Sequence, residues 1–151
     1  MSSETEEQPS DVQLYESGNV YSMEWSKNGL WHRENGKPAV VHFWENGNLK
    51  EEEFFENGEY FREGGLPTRV TYYETGAVEQ EIWEDIPGLY DRGDDLPAII
   101  TYDPDGNVAR KDWYKEGIHY REGDKPEIEI YENGELVETV KGDVVTGVSA
   151  A

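Results

Sequence analysis

Val41-His42-Phe43-Trp44-Glu45-Asn46-Gly47-Asn48-Leu49, running on to Phe54, is the stretch on which the fold turns. Val41 and Phe43 flank His42, a period-two alternation that marks a half-buried strand. Asn46-Gly47 ends that strand with the positive φ that tight hairpins demand. The residues from Asn48 to Phe54 read as the return strand. Leu49 and Phe54 lie five positions apart, so a bulge is needed to bring both to one face.

The same pattern recurs along the chain. Gly18, Gly47, Gly76, Gly106 and Gly134 are spaced by 29, 29, 30 and 28 residues, and each is followed two positions later by Val or Leu. Val12 and Leu14, Val70 and Tyr72, Ile100 and Tyr102, and Ile128 and Ile130 repeat the alternation of Val41 and Phe43. Trp25, Phe54, Trp83 and Trp113 each stand seven residues after their glycine. A second glycine, an arginine and a proline then follow at one spacing, Gly-x3-Arg-x4-Pro: Arg33 with Pro38, Arg62 with Pro67, Arg92 with Pro97, and Arg121 with Pro126. Fixed periods near 30 residues mark a repeat architecture whose units bury their faces only by stacking.

The spacing divides the chain into a half repeat at 11–17, repeats at 18–46, 47–75, 76–105 and 106–133, and a half repeat at 134–141. Residues 1–10 and 142–151 read as flexible tails, and 11–141 as one domain finished by partial repeats. The expected fold is all-β: an elongated antiparallel β-meander of tandem two-stranded units, with nine or ten strands in sequential order, curled toward an open half-barrel. The Gly-x3-Arg-x4-Pro segments are expected to be loops.

The quoted residues resemble MORN-like repeats. The resemblance is carried by Trp25-Ser26-Lys27-Asn28-Gly29-Leu30-Trp31-His32-Arg33 with Lys37-Pro38-Ala39, and by Leu96-Pro97-Ala98 with Tyr102. It is similar to the variant found in phage and giant-virus proteins and to the repeats of YwqK-type antitoxins. It covers residues 12–140, and it implies an open antiparallel sheet, a role in protein association and no catalytic residues.

Composition narrows the function classes. The 151 residues carry 34 acidic and 13 basic side chains, a net charge of −21, and contain no Cys. That charge repels nucleic acid and anionic lipid heads and favours a basic protein partner. The missing thiols exclude a disulfide framework and fit a cytoplasmic protein. Residues 1–10 have neither a basic start nor an apolar run, unlike a signal peptide. His32, His42 and His119 form no evident ligand set, so neither metal nor cofactor is expected. No nucleophile motif stands out, and the chain reads as non-enzymatic.

Two groups are candidates for partner binding. Repeat 76–105 is the most acidic, and Glu79, Glu81, Glu84, Asp85, Asp91, Asp94, Asp95, Asp103 and Asp105 could imitate a row of phosphates. Trp31, Trp44 and Tyr73 are the candidate exposed rings. The repeated arginines and prolines read as structural, each guanidinium tying down its loop. The leading expectation is an acidic repeat protein that binds and inhibits or sequesters a basic, nucleic-acid-binding protein, as an antitoxin-like or phage counter-defence inhibitor. The alternatives are a scaffolding repeat and a carbohydrate-binding module.

Overall fold

The computed structural model describes residues 7–85 and 88–148. The chain runs through β1 (Asp11–Leu14), β2 (Val20–Glu24), β3 (Ser26–Lys27), β4 (Leu30–Trp31), β5 (Val40–Phe43) and β6 (Leu49–Glu53). It continues through β7 (Phe55–Glu56), β8 (Glu59–Tyr60), β9 (Arg69–Tyr72), β10 (Val78–Ile82), β11 (Ile99–Tyr102) and β12 (Val108–Asp112). The last strands are β13 (Tyr114–Lys115), β14 (Ile118–His119), β15 (Ile128–Glu132), β16 (Glu135–Lys141) and β17 (Val144–Gly147).

Eleven of these strands form one antiparallel sheet in the order β1-β2-β5-β6-β9-β10-β11-β12-β15-β16-β17. It is the expected meander and is not closed into a barrel. The remaining strands pair as three small hairpins, β3-β4, β7-β8 and β13-β14. The segments read as loops therefore carry hairpins. Asn28-Gly29, Asn57-Gly58 and Glu116-Gly117 each place two successive residues at positive φ, the two-residue turn that matches strand twist. In the third unit the described residues form an isolated bridge there, Glu84 to Tyr90.

The large hairpins turn differently from expectation. At Gly18, Gly47, Gly76 and Gly106 only the glycine has positive φ, and it follows a turn closed by N–H···O bonds such as Gly47 to Trp44 at 2.9 Å. A bulge follows in each return strand: Phe43 pairs with Leu49 but His42 with Glu51, skipping Lys50. The same slip occurs after Gln13, Thr101 and Ile130. It aligns whole rows across the sheet. Val41, Glu52, Val70, Glu81 and Ile100 stand in register on one face, and His42, Glu51, Thr71, Gln80 and Thr101 on the other.

The small hairpins lie against the second face. Phe55 of β7 is buried with Ala39 and Val40, and the Tyr60 ring stacks on Phe55 at 4.3 Å. Successive hairpins interlock through glycine. A Cβ at Gly58 would lie 3.2 Å from Leu30, one at Gly88 3.4 Å from Tyr60, and one at Gly117 3.3 Å from Leu89.

The ends differ from the expected tails. Beyond Lys141 the chain turns at Gly142 and adds β17, which pairs Val145 with Val140. The apolar Val144-Val145 pair suits an eleventh strand, and Glu127 accepts the Gly142 N–H, fixing the turn. At the other end Ser10 N–H donates to Glu24 O at 2.7 Å. The expected tail residues 1–6 and 149–151 lie outside the described residues. Among the described residues no helix is long and apolar enough to cross a membrane.

Candidate functional site

The repeated arginines form one device in four copies. Each guanidinium lies over its unit's ring: Arg33 on Trp25 at 3.6 Å, Arg62 on Phe54 at 3.8 Å, Arg92 on Trp83 at 3.6 Å and Arg121 on Trp113 at 3.8 Å. Each also donates from Nη1 to the carbonyl of its proline: Pro38 at 3.2 Å, Pro67 at 3.0 Å, Pro97 at 3.2 Å and Pro126 at 3.1 Å. Cation–π attraction and a charge-assisted hydrogen bond thus fold each loop onto its strand. The indoles link units in turn. Trp83 donates to Gly65 O at 2.9 Å and Trp113 to Asp95 O at 3.0 Å.

The nine carboxylates expected to form a phosphate-like row are not brought together. Glu84 is buried beside Arg69, with Oε1 3.2 Å from Nε. Burial raises its carboxyl against the lowering pull of Arg69. Glu81 accepts the Tyr102 hydroxyl on the sheet face. Asp85 Oδ1 accepts from Leu89 N–H at 2.9 Å, and Asp91 Oδ2 from Glu116 N–H at 3.0 Å. Asp95 pairs with Arg121 at 2.9 Å and Lys125 at 3.0 Å, and their hydrogen bonds draw its carboxyl down to about 2. Asp103 Oδ1 accepts two N–H groups of its own turn, from Asp105 and Asn107. Glu79 sits at the bulge of β10, Asp94 in the loop and Asp105 at the opposite end of the strands. A unit of this meander places its loop and its turn at opposite edges, which separates residues that are neighbours in sequence.

The candidate rings also divide. Trp31 is exposed, with its ring 5.0 Å from Phe55. Trp44 and Tyr73 are half-buried struts: Trp44 donates to Tyr72 O at 3.1 Å and Tyr73 to Tyr102 O at 2.6 Å. Tyr15 does the same to Phe43 O at 2.7 Å. With Lys50 over the Trp44 ring at 4.6 Å, these rings do not form the open stacking platform expected of a glycan site.

A different acidic array occupies the tight-turn edge. Glu16, Glu45, Glu74, Asp105 and Glu132 are all exposed, one in each successive turn. The turns 15–19, 44–48, 73–77, 103–107 and 131–135 contain no Lys or Arg. Neighbouring carboxylates are two strands apart, about 9.6 Å. Amide side chains tie turn to turn: Asn19 Nδ2 donates to Glu45 O at 2.8 Å, and Asn48 Nδ2 to Glu74 O at 2.7 Å. The signal was in the sequence, as a carboxylate just before each turn glycine. Acidic residues also favour turns for local reasons, so the pattern alone does not mark a site.

A second cluster lies on the hairpin-covered face. The β5–β6 register sets His42 opposite Glu51, and period two puts Glu53 beside Glu51. One ligand-type atom of each lies within 4.8 Å of the others. Arg69 Nη1 approaches Glu51 at 3.7 Å, and the Tyr60 hydroxyl donates to Glu53 Oε2 at 3.2 Å. Burial, then the adjacent Glu51, pushes the Glu53 carboxyl up to about 7. The histidines had shown no coherent set because only the bulged register makes His42 and Glu51 partners.

A family model described as a MORN repeat variant matches residues 39–57. That window holds β5, the turn at Gly47, β6 and β7, and so spans the junction of the repeats 18–46 and 47–75. Neither the curated proteins nor the solved structures compared with the chain give a match.

Proposed function

We propose that this chain is an interaction protein whose tight-turn edge binds an extended, basic segment of another protein. One observation carries the reading. Five exposed carboxylates stand in five successive turns free of Lys and Arg. Their interval of about 9.6 Å is close to one turn of a polyproline-type chain, three residues at roughly 3.1 Å each, which returns every third side chain to the same face. A segment with Arg or Lys at every third position therefore meets one carboxylate per unit. Pre-set turns lower the ordering cost of such docking. The partner is a basic protein whose cationic surface otherwise grips nucleic acid, and occupying that surface inhibits it in an antitoxin-like manner. A net charge of −21 adds long-range steering.

The test is a binding titration with a peptide carrying Arg at every third residue, at low and high salt. Charge-neutral substitution of all five turn positions (Glu16→Gln, Glu45→Gln, Glu74→Gln, Asp105→Asn, Glu132→Gln) is expected to weaken binding at least tenfold and to flatten its salt dependence. The matching change at Glu34, Glu56, Glu63, Asp94 and Glu122 should alter affinity less than threefold. Equal losses from both sets would show that bulk charge alone is responsible, and the reading would fail.

A second reading, self-assembly through sheet edges, is favoured by β17. Val144 is 64% exposed and Val145 59% on the outermost strand, whose far edge pairs with no strand among the described residues, the kind of edge that templates pairing. Sedimentation should then show oligomers that Val145→Lys abolishes, while a monomer at high concentration would count against it.

A further inference from the structure

We propose that His42, Glu51 and Glu53 form a binding site for one divalent first-row cation that bridges β5 and β6 beneath the β7–β8 hairpin. Three observations independent of the turn edge lead there.

The first is convergence. Donor atoms from two strands come within 4.8 Å of one another, yet His42 Nδ1 and Glu51 Oε2 stand 4.0 Å apart, beyond hydrogen-bonding range. Ligands around one ion with bonds near 2.1 Å sit roughly 3.0–3.4 Å apart, so small rotamer changes close the set.

The second is charge. Glu51, Glu53 and Glu84 share a single guanidinium, Arg69, which is 3.7 Å from Glu51 and 3.2 Å from Glu84. Fully ionised, the group carries an excess of two negative charges, which one divalent ion neutralises.

The third is the surrounding scaffold. The Tyr60 hydroxyl holds Glu53 from the β7–β8 hairpin, and such outer partners orient metal ligands. Thr71 stands in register beside Glu51 on the same face, and its Oγ1 is buried without a hydrogen-bond partner. A water on the ion would satisfy it.

One imidazole and two carboxylates, in a chain without Cys, suit zinc or manganese better than calcium or magnesium. The site lies on the hairpin-covered face, so the ion acts as a clip and not as a catalyst.

The experiment is calorimetric titration of the full chain with zinc chloride at pH 7.5 and pH 6.0, with thermal unfolding followed in parallel. One equivalent should bind, raise the unfolding temperature and displace protons. Affinity should fall at least tenfold at pH 6.0, because ligands must shed their protons to bind a metal. His42→Ala and Glu51→Gln should each weaken binding tenfold or more, and Glu63→Gln at an exposed loop position should not. For the case in which His42→Ala does not fold, manganese added to the unmodified chain should broaden the His42 ring resonances and spare those of His119. Weak binding of several equivalents that is indifferent to these substitutions, or broadening of both histidines alike, would overturn the site.

Discussion

The arginine clamp shows how one residue type fixes a whole loop. Arg92 spends its planar face on Trp83 and one Nη on Pro97 O, a combination a lysine cannot reproduce. Arg92→Lys is therefore expected to destabilise the fold by about 1–2 kcal/mol, read from the urea unfolding midpoint. The structural role of these arginines was legible, since four identical spacings point to a shared local contact. Its geometry was not, because the ring it covers lies eight or nine residues upstream and only the hairpin between them brings the two together. Glu53 gives a pH prediction. Its folded carboxyl titrates near 7 while an unfolded one titrates near 4.5. The protonated form thus favours folding below about pH 4.5, and that contribution is lost as pH rises through 7. Glu53→Gln should stabilise the metal-free chain at pH 8 by on the order of 1 kcal/mol, after allowance for partial exposure, and the gain should vanish by pH 4.5. Equal effects at both values would contradict the assigned titration.

At the level of elements, the second glycine sets the turn in every unit, and in three of them, at Gly58, Gly88 and Gly117, it also makes room for the preceding unit. Gly117 supplies a φ of +80° to its hairpin turn and leaves room for Leu89 of the preceding unit, which an added Cβ would approach to 3.3 Å. Gly29 supplies its φ of +78° with nothing within 4 Å. Both alanine substitutions carry the backbone penalty of about 1 kcal/mol, and Gly117→Ala should cost measurably more in denaturant unfolding. Equal costs would mean the interlock adds nothing. The large strands and their order could be read from period two and the turn glycines. The small hairpins could not, because two-residue strands carry no periodicity, and Gly29 and Gly58 also open the Gly-x3-Arg-x4-Pro motif that suggests a loop. The eleventh strand escaped for a related reason: Val144-Val145 follows the last repeat signal and matches no unit. Stopping the chain after Lys141 should expose the β16 edge and lower the unfolding temperature, measured by circular dichroism.

Across the whole molecule, the meander converts a 29-residue period into two parallel edges with unlike chemistry. One edge holds clamps and hairpins, where some carboxylates are paired internally, as Asp95 is with Arg121 and Lys125. The other holds turns whose carboxylates point to solvent. Reading charge along the chain located the acidic third repeat, but function at this scale depends on what aligns across strands, and Glu84 shows that an acidic residue in sequence can be a buried one in space. The turn-edge docking is tested most directly by nuclear magnetic resonance titration with the Arg-every-third-residue peptide. The account predicts shifts concentrated at the amides of Gly18, Gly47, Gly76, Gly106 and Gly134, in successive turns, with the loop glycines Gly36, Gly64 and Gly123 unmoved. Shifts centred on those loop glycines, or spread evenly over the sheet, would contradict it.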